Sequence, residues 1–305
     1  YFLCNDNPPH KSMKNQKKAY IYGLIAVFTW STVATAFKLS LENLDYLQLL
    51  FFASITSVIT LFVILKFQGK TPVFKISGKE LIYSAVMGFL NPFLYYAVLF
   101  KAYYLLPAQV AQTLNYTWGV VLTLLSIFIL RQKIGIKNIL AILVSFFGVM
   151  LIATRGQFTS FDGLNLLGVS LAVGSSLIWA LFWIYNIKDR RDEGAKLFWS
   201  FLFGSIYITI STLIFSEIKI PSMSGFFGAV YVGLFEMGIT FFIWLKALQF
   251  SKTTAQVSNL IYLSPFLSLI FIHFILGEDI FISTIVGLGF IVVGIFMQKQ
   301  FSKAS

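Results

Sequence analysis

The sequence predicts an all-α integral membrane protein whose ten transmembrane helices form two inverted five-helix repeats. Three observations support this fold class: the apolar composition, the alternating placement of Lys and Arg, and a similarity between the two halves of the chain. Hydrophobic residues make up 58% of the sequence and charged residues 11%. Soluble domains typically carry about 25% charged residues. The composition therefore excludes an ordinary soluble globular protein.

A membrane-spanning helix needs about 20 predominantly apolar residues. Ten segments between charged or turn-rich breaks meet this requirement: 19–40, 46–65, 81–101, 107–130, 136–154, 165–187, 197–215, 224–245, 253–276 and 280–298. Their connections are too short to form a separate soluble domain. We expect four regions: a cytoplasmic N-terminal tail (1–18), a first repeat (19–154), a second repeat (155–298) and a cytoplasmic C-terminal tail (299–305).

The positive charges follow a topological pattern. A net charge of +11 is compatible with nucleic-acid binding, but with a cytoplasmic N-terminus 19 of the 23 Lys and Arg residues fall in cytoplasmic segments. The four exceptions are Lys38, Lys101, Arg155 and Lys219. This bias fits the positive-inside rule and predicts that both termini are cytoplasmic. The expected large partner is the lipid bilayer, not nucleic acid.

Two features of the N-terminal region need interpretation: residues 1–12 and the first predicted span. The chain does not begin with Met, and Met13 starts the run MKNQKKAYIYG, so residues 1–12 are expected to be an extension or a misplaced start. The first span also resembles a cleaved signal, because Lys14, Lys17 and Lys18 precede an apolar run that contains Ala34-Thr35-Ala36. The repeat described next requires this span and argues against cleavage.

The two halves of the sequence align with each other. AQVAQ at 108–112 lies over AQVSN at 255–259, GFLN at 88–91 over GLFE at 233–236, and Trp30 over Trp179, with an offset near 146 residues. Because five spans is an odd number, the second copy must cross the membrane in the opposite sense. Inverted repeats of this kind are typical of secondary transporters, whose substrate sites lie near the midplane. The alternative is chance similarity between apolar sequences.

Polar residues form matched stripes on spans four and nine. At about 100° per residue they share one helix face: Gln109, Gln112, Asn115, Tyr116, Gly119 and Thr123 on span four, and Gln256, Asn259, Tyr262, Leu263, Phe266 and His273 on span nine. Amide groups are costly in hydrocarbon, so both stripes are predicted to face a cavity. Hydrogen bonding between helices is the alternative explanation.

Other spans add candidate cavity residues. Span six contributes Ser176, Trp179, Trp183 and Asn186, and span one contributes Trp30. An interfacial aromatic belt would explain the tryptophans equally well. Asn91-Pro92 and Ser264-Pro265 lie inside spans three and nine and can interrupt the backbone ladder or only kink the helix.

Small residues on spans five and ten predict close helix packing instead of a site. Ala141 and Gly148 match Gly287 and Gly294 in the repeat alignment.

Glu236 is the acidic residue placed deep inside a predicted span. An ionisable residue within the membrane is a functional candidate by default. Its carboxyl group could carry a coupling proton or pair with a substrate amine. Its alternative role is a protonated hydrogen-bond donor between helices.

The sequence offers little basis for an enzyme. It contains no HExxH, no GxSxG and no intramembrane carboxylate pair, and a single cysteine, Cys4, excludes a disulfide framework or a cysteine metal cluster. We therefore predict no catalytic residue, no metal and no cofactor.

The combination of two similar halves, Leu276-Gly277-Glu278, the mid-span Pro265 and the late Gly287 and Gly294 resembles the EamA domain of the drug/metabolite transporter superfamily. The resemblance covers residues 19–298 and implies a ten-helix secondary transporter of the bacterial cytoplasmic membrane with a central cavity. The first half departs from the pattern, because Trp118 replaces the proline and Arg131-Gln132 replaces Gly-Glu.

These observations predict alternating-access transport of a small polar or amphipathic metabolite, with an amino acid or related amine as the best candidate and protons as the candidate coupling ion. A passive channel is the first alternative and a membrane-embedded enzyme the second. The predicted substrate-binding residues are Trp30, Asn91, Tyr95, Gln109, Gln112, Asn115, Tyr116, Trp179, Trp183, Glu236, Gln256, Asn259 and Tyr262, and Glu236 is also the predicted proton-coupling residue. The sequence leaves the oligomeric state, the transport direction and the solute open.

Overall fold

The computed structural model describes residues 15–69, 76–129, 136–157, 165–251, 257 and 259–301. Throughout these residues the secondary structure is helical, with no strand. The chain is an integral, multi-pass membrane protein, as its long apolar helices require.

Seven helices belong to the first half of the chain: α1 Gln16–Leu41, α2 Tyr46–Phe67, α3 Gly78–Gly88, α4 Tyr95–Leu105, α5 Ala108–Asn115, α6 Trp118–Ile129 and α7 Ile136–Ala153. The second half contains α8 Leu166–Lys188, α9 Glu193–Phe215, α10 Met223–Tyr231, α11 Ile239–Phe250, α12 Ser264–Leu276 and α13 Ile282–Phe301. Two π-helical segments, Phe89–Leu94 and Val232–Glu236, connect α3 to α4 and follow α10. A short 3₁₀ turn, Asn259–Leu263, precedes α12.

Six stretches are long and apolar enough to cross a membrane: Gln16–Leu41, Tyr46–Phe67, Gly78–Leu105, Leu166–Asn186, Glu193–Phe215 and Met223–Phe250. Ile139–Ile152, Leu260–Leu276 and Ile282–Met297 are shorter apolar helices. Each of the ten predicted spans overlaps at least one of the observed helices. Span four, however, is not the single continuous helix that its polar stripe predicts, because a turn at Tyr116 and Thr117 separates α5 from α6.

Local sequence signals explain several helix ends. The Asp45 carboxylate accepts hydrogen bonds from the amides of Leu47 (2.8 Å) and Gln48 (3.0 Å), and Gln48 accepts one from the Asp45 amide, which forms a capping box at the start of α2. Gly277 ends α12 in the left-handed conformation with φ +68°, which a residue without a Cβ adopts at low cost.

The interruption predicted at Asn91-Pro92 is present. Asn91 has extended dihedral angles (φ −149°, ψ 119°) inside the π-helical segment, and its bond to Pro92 is cis. Proline has no amide hydrogen and disrupts the regular ladder. In the second half, Pro265 lies in the first turn of α12, where the preceding 3₁₀ turn becomes an α-helix.

One end of the bundle is formed by the α1–α2 and α4–α5 connections together with three loops of the second half; we call it the Lys38 end. Lys38 Nζ donates to the backbone carbonyls of Tyr103 and Leu106, each at 2.9 Å. Gln48 Nε2 donates to the carbonyl of Glu217 at 2.7 Å. The Glu278 carboxylate accepts from the Ala108 amide at 2.8 Å.

The opposite end contains the N-terminus of α1 and the α8–α9 and α11–α12 connections; we call it the Lys196 end. The Asn15 amide donates to the Phe250 carbonyl at 3.0 Å. Buried Lys196 donates to the Asp189 carbonyl (3.2 Å) and to Glu193 (2.7 Å). At Asp189, burial alone would raise the pKa, but the hydrogen bonds and charge of Arg191 outweigh it and hold the pKa below its ordinary value.

The two halves interlock by reciprocal packing. α1 packs on α11 and α12, and correspondingly α8 packs on α4, α5 and α6. Gly88 in the first half contacts α9 at Ser200 and Gly204, while Gly233 in the second half contacts α2 at Ala53 and Thr56. Helices of both halves therefore form the interior of the bundle together.

α7 and α13 pack tightly against each other through small residues, as predicted. A Cβ on Gly148 would collide with the Gly287 carbonyl, and one on Gly294 would collide with Ser145 and lie 2.7 Å from the Ala141 carbonyl. Small residues allow such close approach between membrane helices.

Candidate functional site

Glu236 is the last residue of the π-helical segment Val232–Glu236. The Tyr96 hydroxyl from α4 donates a hydrogen bond to Glu236 Oε1 at 3.1 Å. Tyr96 is fully buried, whereas Glu236 retains part of its accessible surface. The carboxylate is therefore held by the first half of the chain, while Glu236 as a residue is only partly buried.

The backbone is irregular directly after Glu236. Gly238 has φ −133° and ψ −97°, and α11 begins only at Ile239. The Met237 carbonyl accepts a hydrogen bond from Ser57 Oγ of α2 at 2.6 Å. This hydroxyl satisfies a carbonyl at the interruption, which would otherwise be costly inside a membrane protein.

Further neutral polar groups lie near the carboxylate. The Tyr95 ring packs against the ring of Tyr96, with centroids 4.7 Å apart, and Tyr103 and Tyr116 lie in the same region. The Tyr95 hydroxyl donates to Asn115 Oδ1 at 3.3 Å, and Asn115 Nδ2 donates to Ser175 Oγ on α8 at 2.8 Å. The network thus joins α4, α5 and α8 around one acidic group.

Aromatic rings connect the two halves beside this network. The Tyr95 and Trp179 ring centroids are 4.6 Å apart, and Trp179 lies 6.4 Å from Phe241. Phe241 is in turn 5.7 Å from Trp30 on α1. Trp183 makes an edge contact with Trp179 at 5.7 Å. Trp30, Trp179 and Trp183 all keep partial exposure, so their rings are not completely covered by protein.

Six predicted residues are therefore brought together with Glu236 through direct contacts or short chains of contacts: Trp30, Tyr95, Asn115, Tyr116, Trp179 and Trp183. We call these seven residues, with Tyr96, Tyr103 and Phe241, the Glu236 site. The last three were not predicted. Tyr96 and Tyr103 are two of several tyrosines on one helix, and Phe241 is one of many phenylalanines, so their types alone carry no signal.

Gln109 lies elsewhere, at the Lys38 end. Its Nε2 donates to the Asp279 carbonyl at 2.9 Å, and its Oε1 accepts from the Phe281 amide at 2.9 Å and from Thr284 Oγ1 at 3.1 Å. The side chain is 1% exposed. This amide joins α5 to the start of α13.

Gln112 and Asn91 are buried without complete pairing. Gln112 Oε1, and both side-chain amide atoms of Asn91, have no hydrogen-bond partner among the described residues. Asn91 and Glu236, which align in the repeat, both lie in π-helical segments.

The predicted stripe on span nine is only partly described. Tyr262 is half-buried and packs against Phe296, with ring centroids 5.0 Å apart. Asn259 begins the 3₁₀ turn, but its side chain lies outside the described residues, as does Gln256 entirely. His273 is exposed, and its Nδ1 is 3.0 Å from the Glu278 carbonyl at the Lys38 end.

Two further residues of span six have structural partners. Ser176 Oγ accepts from Thr117 Oγ1 at 3.0 Å, at the turn between α5 and α6. Asn186 accepts from Lys196 at the Lys196 end through its side-chain oxygen (3.3 Å). Across the described residues, no three His, Cys, Asp or Glu side chains are grouped as a metal site would require.

Comparison with known proteins finds similarity to transporters. The profile of the EamA-like transporter family matches the chain twice, at residues 17–154 and 166–298. An uncharacterized transporter of Clostridium kluyveri is 26% identical over 299 residues, covering 94% of each chain. The uncharacterized transporter YoaV of Bacillus subtilis is 24% identical over 283 residues, covering 90% of this chain and 95% of YoaV.

A solved crystal structure shares the fold, with a TM-score of 0.65 and 18% identity, and the match covers 95% of this chain and 99% of that one. The two family matches together span most of the sequence and include every residue of the Glu236 site. The chain belongs to the EamA-like transporter family.

Proposed function

We propose that this protein is a secondary transporter that moves a small polar or amphipathic solute, an amino acid or a related amine, across the bacterial cytoplasmic membrane by alternating access. In this proposal the chain crosses the membrane ten times, with an inverted repeat of residues 19–154 and 155–298 between two cytoplasmic tails. Solute binds at the Glu236 site, and Glu236 carries the coupling proton.

The observation that carries the proposal is the Tyr96–Glu236 hydrogen bond (3.1 Å), which joins the two halves at an incompletely covered acidic group. Transporters built from repeats bind solute where the repeats meet, at irregular backbone. Glu236 meets both conditions, because Gly238 interrupts the helix two residues later.

Reciprocal packing of α1 with α11 and of α8 with α4 supports the repeat. The described connections fit ten crossings: α1–α2, α4–α5, α9–α10 and α12–α13 lie at the Lys38 end, whereas the start of α1, the end of α11 and the α8–α9 connection lie at the Lys196 end. The Lys196 end is the more basic of the two, with Lys17, Lys18, Lys66, Lys79, Lys188, Arg190, Arg191, Lys196 and Lys246 among its described residues. By the positive-inside rule this end faces the cytoplasm.

Uptake assays with purified protein in liposomes test the proposal. A panel of radiolabelled amino acids and amines is supplied with and without a pH gradient, and protein-free liposomes measure passive leakage. We expect saturable uptake of at least one solute and faster uptake when the gradient is present. Saturation without a gradient effect would leave transport in place and remove proton coupling.

The same assay distinguishes the passive channel. Fluxes through a channel would not saturate and would not concentrate solute against its gradient. Absence of saturable flux for every solute in the panel would contradict the proposed function.

A further inference from the structure

We infer that the Glu236 site selects solutes with a single positive charge, organic ammonium ions, and discriminates against amino acids. This inference rests on the proposed transport function and narrows its substrate class. It follows from the single carboxylate at the site and from the position of the described lysine and arginine side chains, which lie toward the ends of the bundle.

Glu236 is the only charged residue of the Glu236 site. Its described neighbours are neutral: the hydroxyls of Tyr95, Tyr96, Tyr103 and Tyr116, the Asn115 amide, and indole and phenyl rings.

The basic side chains of the described residues lie toward the two ends of the bundle. Half-buried Lys38 is already bound, because its Nζ donates to two carbonyls at 2.9 Å. Lys101 Nζ lies over the Tyr46 ring at 4.8 Å, at the same end. Among the described residues, therefore, no arginine or lysine lies at the Glu236 site to receive a solute carboxylate.

This charge distribution separates amines from amino acids. An ammonium group beside Glu236 forms a charge-assisted hydrogen bond and neutralises the carboxylate. The carboxylate of an amino acid bound there would lie near the Glu236 carboxylate and would lack a counter-charge among the described residues. Placing like charges together is a recognised source of discrimination against the wrong ligand.

The aromatic surface suits the rest of such a solute. Trp30 and Trp179 are partly exposed rings joined through Phe241, with Tyr95 against Trp179. Aromatic faces attract ammonium groups and pack against apolar carbon atoms. Together with one carboxylate, they favour a cation attached to an apolar body.

The test is binding of matched solute pairs to the detergent-purified full chain by isothermal titration calorimetry, at a pH where the amines are protonated. Each pair differs only by a carboxylate: tryptamine and tryptophan, phenethylamine and phenylalanine, isobutylamine and valine. We expect each amine that binds to exceed its amino acid by at least about tenfold in affinity, because like-charge repulsion is worth more than 1.4 kcal/mol.

Two variants that each remove one carboxylate test whether Glu236 causes the difference in affinity between each amine and its amino acid. Glu236→Gln should remove the preference for the amine, whereas Glu217→Gln, at an exposed residue paired with Lys219, should retain it. Equal or tighter binding of an amino acid, or a preference unchanged in Glu236→Gln, would overturn the inference.

The outcomes for the two proposals are distinguishable. Saturable liposome uptake of an amino acid, with none of the three amines bound, overturns the charge selection and leaves the transporter proposal intact. Absence of saturable uptake for every solute overturns the transporter proposal itself.

Discussion

Tyr96 of α4 holds Glu236 across the boundary between the two halves, with 3.1 Å between the phenol oxygen and Oε1. Tyr96 is fully buried and also packs its ring against Phe100 at 5.4 Å. The donor is therefore fixed in position, and the carboxylate of the second half takes its orientation from the first half.

Replacing Tyr96 by Phe removes this donor and keeps the ring. A hydrogen bond to a charged group contributes about 1.5–3 kcal/mol, so we expect solute KM to rise by about tenfold or more with a folded protein. Uptake kinetics and thermal unfolding of the variant provide the measurement. Tyr104→Phe is the matched control, since Tyr104 is 54% exposed at the Lys38 end; an equal change in both variants would show that Tyr96 has no special role.

Replacing Glu236 by Gln retains shape and hydrogen bonding but removes titration. If Glu236 carries the proton, the variant should lose uptake that is driven by a pH gradient. Solute counterflow, which needs no gradient, reports whether the variant still moves solute. Gradient-driven uptake at the wild-type level would exclude Glu236 as the coupling group.

Lys101-Ala102 in the first half matches Lys246-Ala247 in the second half, and the proposed inverted topology places these two lysines on opposite sides of the membrane. Lys101 contacts Tyr46 and Tyr104 at the Lys38 end, whereas Lys246 is exposed near the end of α11. Single cysteines at the two positions, in a background lacking Cys4, should react with a membrane-impermeant maleimide from opposite sides of oriented vesicles. Labelling of both from one side would refute the inverted topology.

Packing between α7 and α13 predicts a strong position dependence for Gly→Ala substitution. A Cβ at Gly294 would collide with Ser145, whereas a Cβ at Gly289 on the same helix has nothing within 4 Å. We expect Gly294→Ala to destabilise the protein by about 1–3 kcal/mol, as overpacking does, and Gly289→Ala to have little effect. Thermal unfolding in detergent compares the two, and equal stabilities would argue against this interface.

Much of the fold was predictable because apolar length and positive charge are local signals. Glu236 was predictable for the same reason, since a lone acid in an apolar run is visible in the sequence. The position of Gln109 was not. Helical periodicity predicts that Gln109 and Asn115 share a helix face, but it does not predict which segment packs against that face. Asp279 and Thr284, which bind the Gln109 side chain, lie about 170 residues away in the sequence.

Tyr96 illustrates the same limit of local patterns. Tyr95, Tyr96, Tyr103 and Tyr104 are identical side chains on α4, yet only Tyr96 is hydrogen-bonded to Glu236. The turn at Tyr116 and Thr117 also interrupts the α-helix within span four. A single helical wheel drawn across that turn cannot assign the residues after it.

Glu278 accepts hydrogen bonds from the first two amides of α5, and Pro107 before them provides no side-chain cap. The ribosome adds this carboxylate 170 residues after Ala108. During synthesis the first turn of α5 must therefore wait for the end of α12 before its amides gain their acceptor. The start of α5 in the N-terminal half therefore reaches its final hydrogen bonding only after the C-terminal half has been inserted into the membrane. The first half cannot adopt its complete final structure before the second half is present.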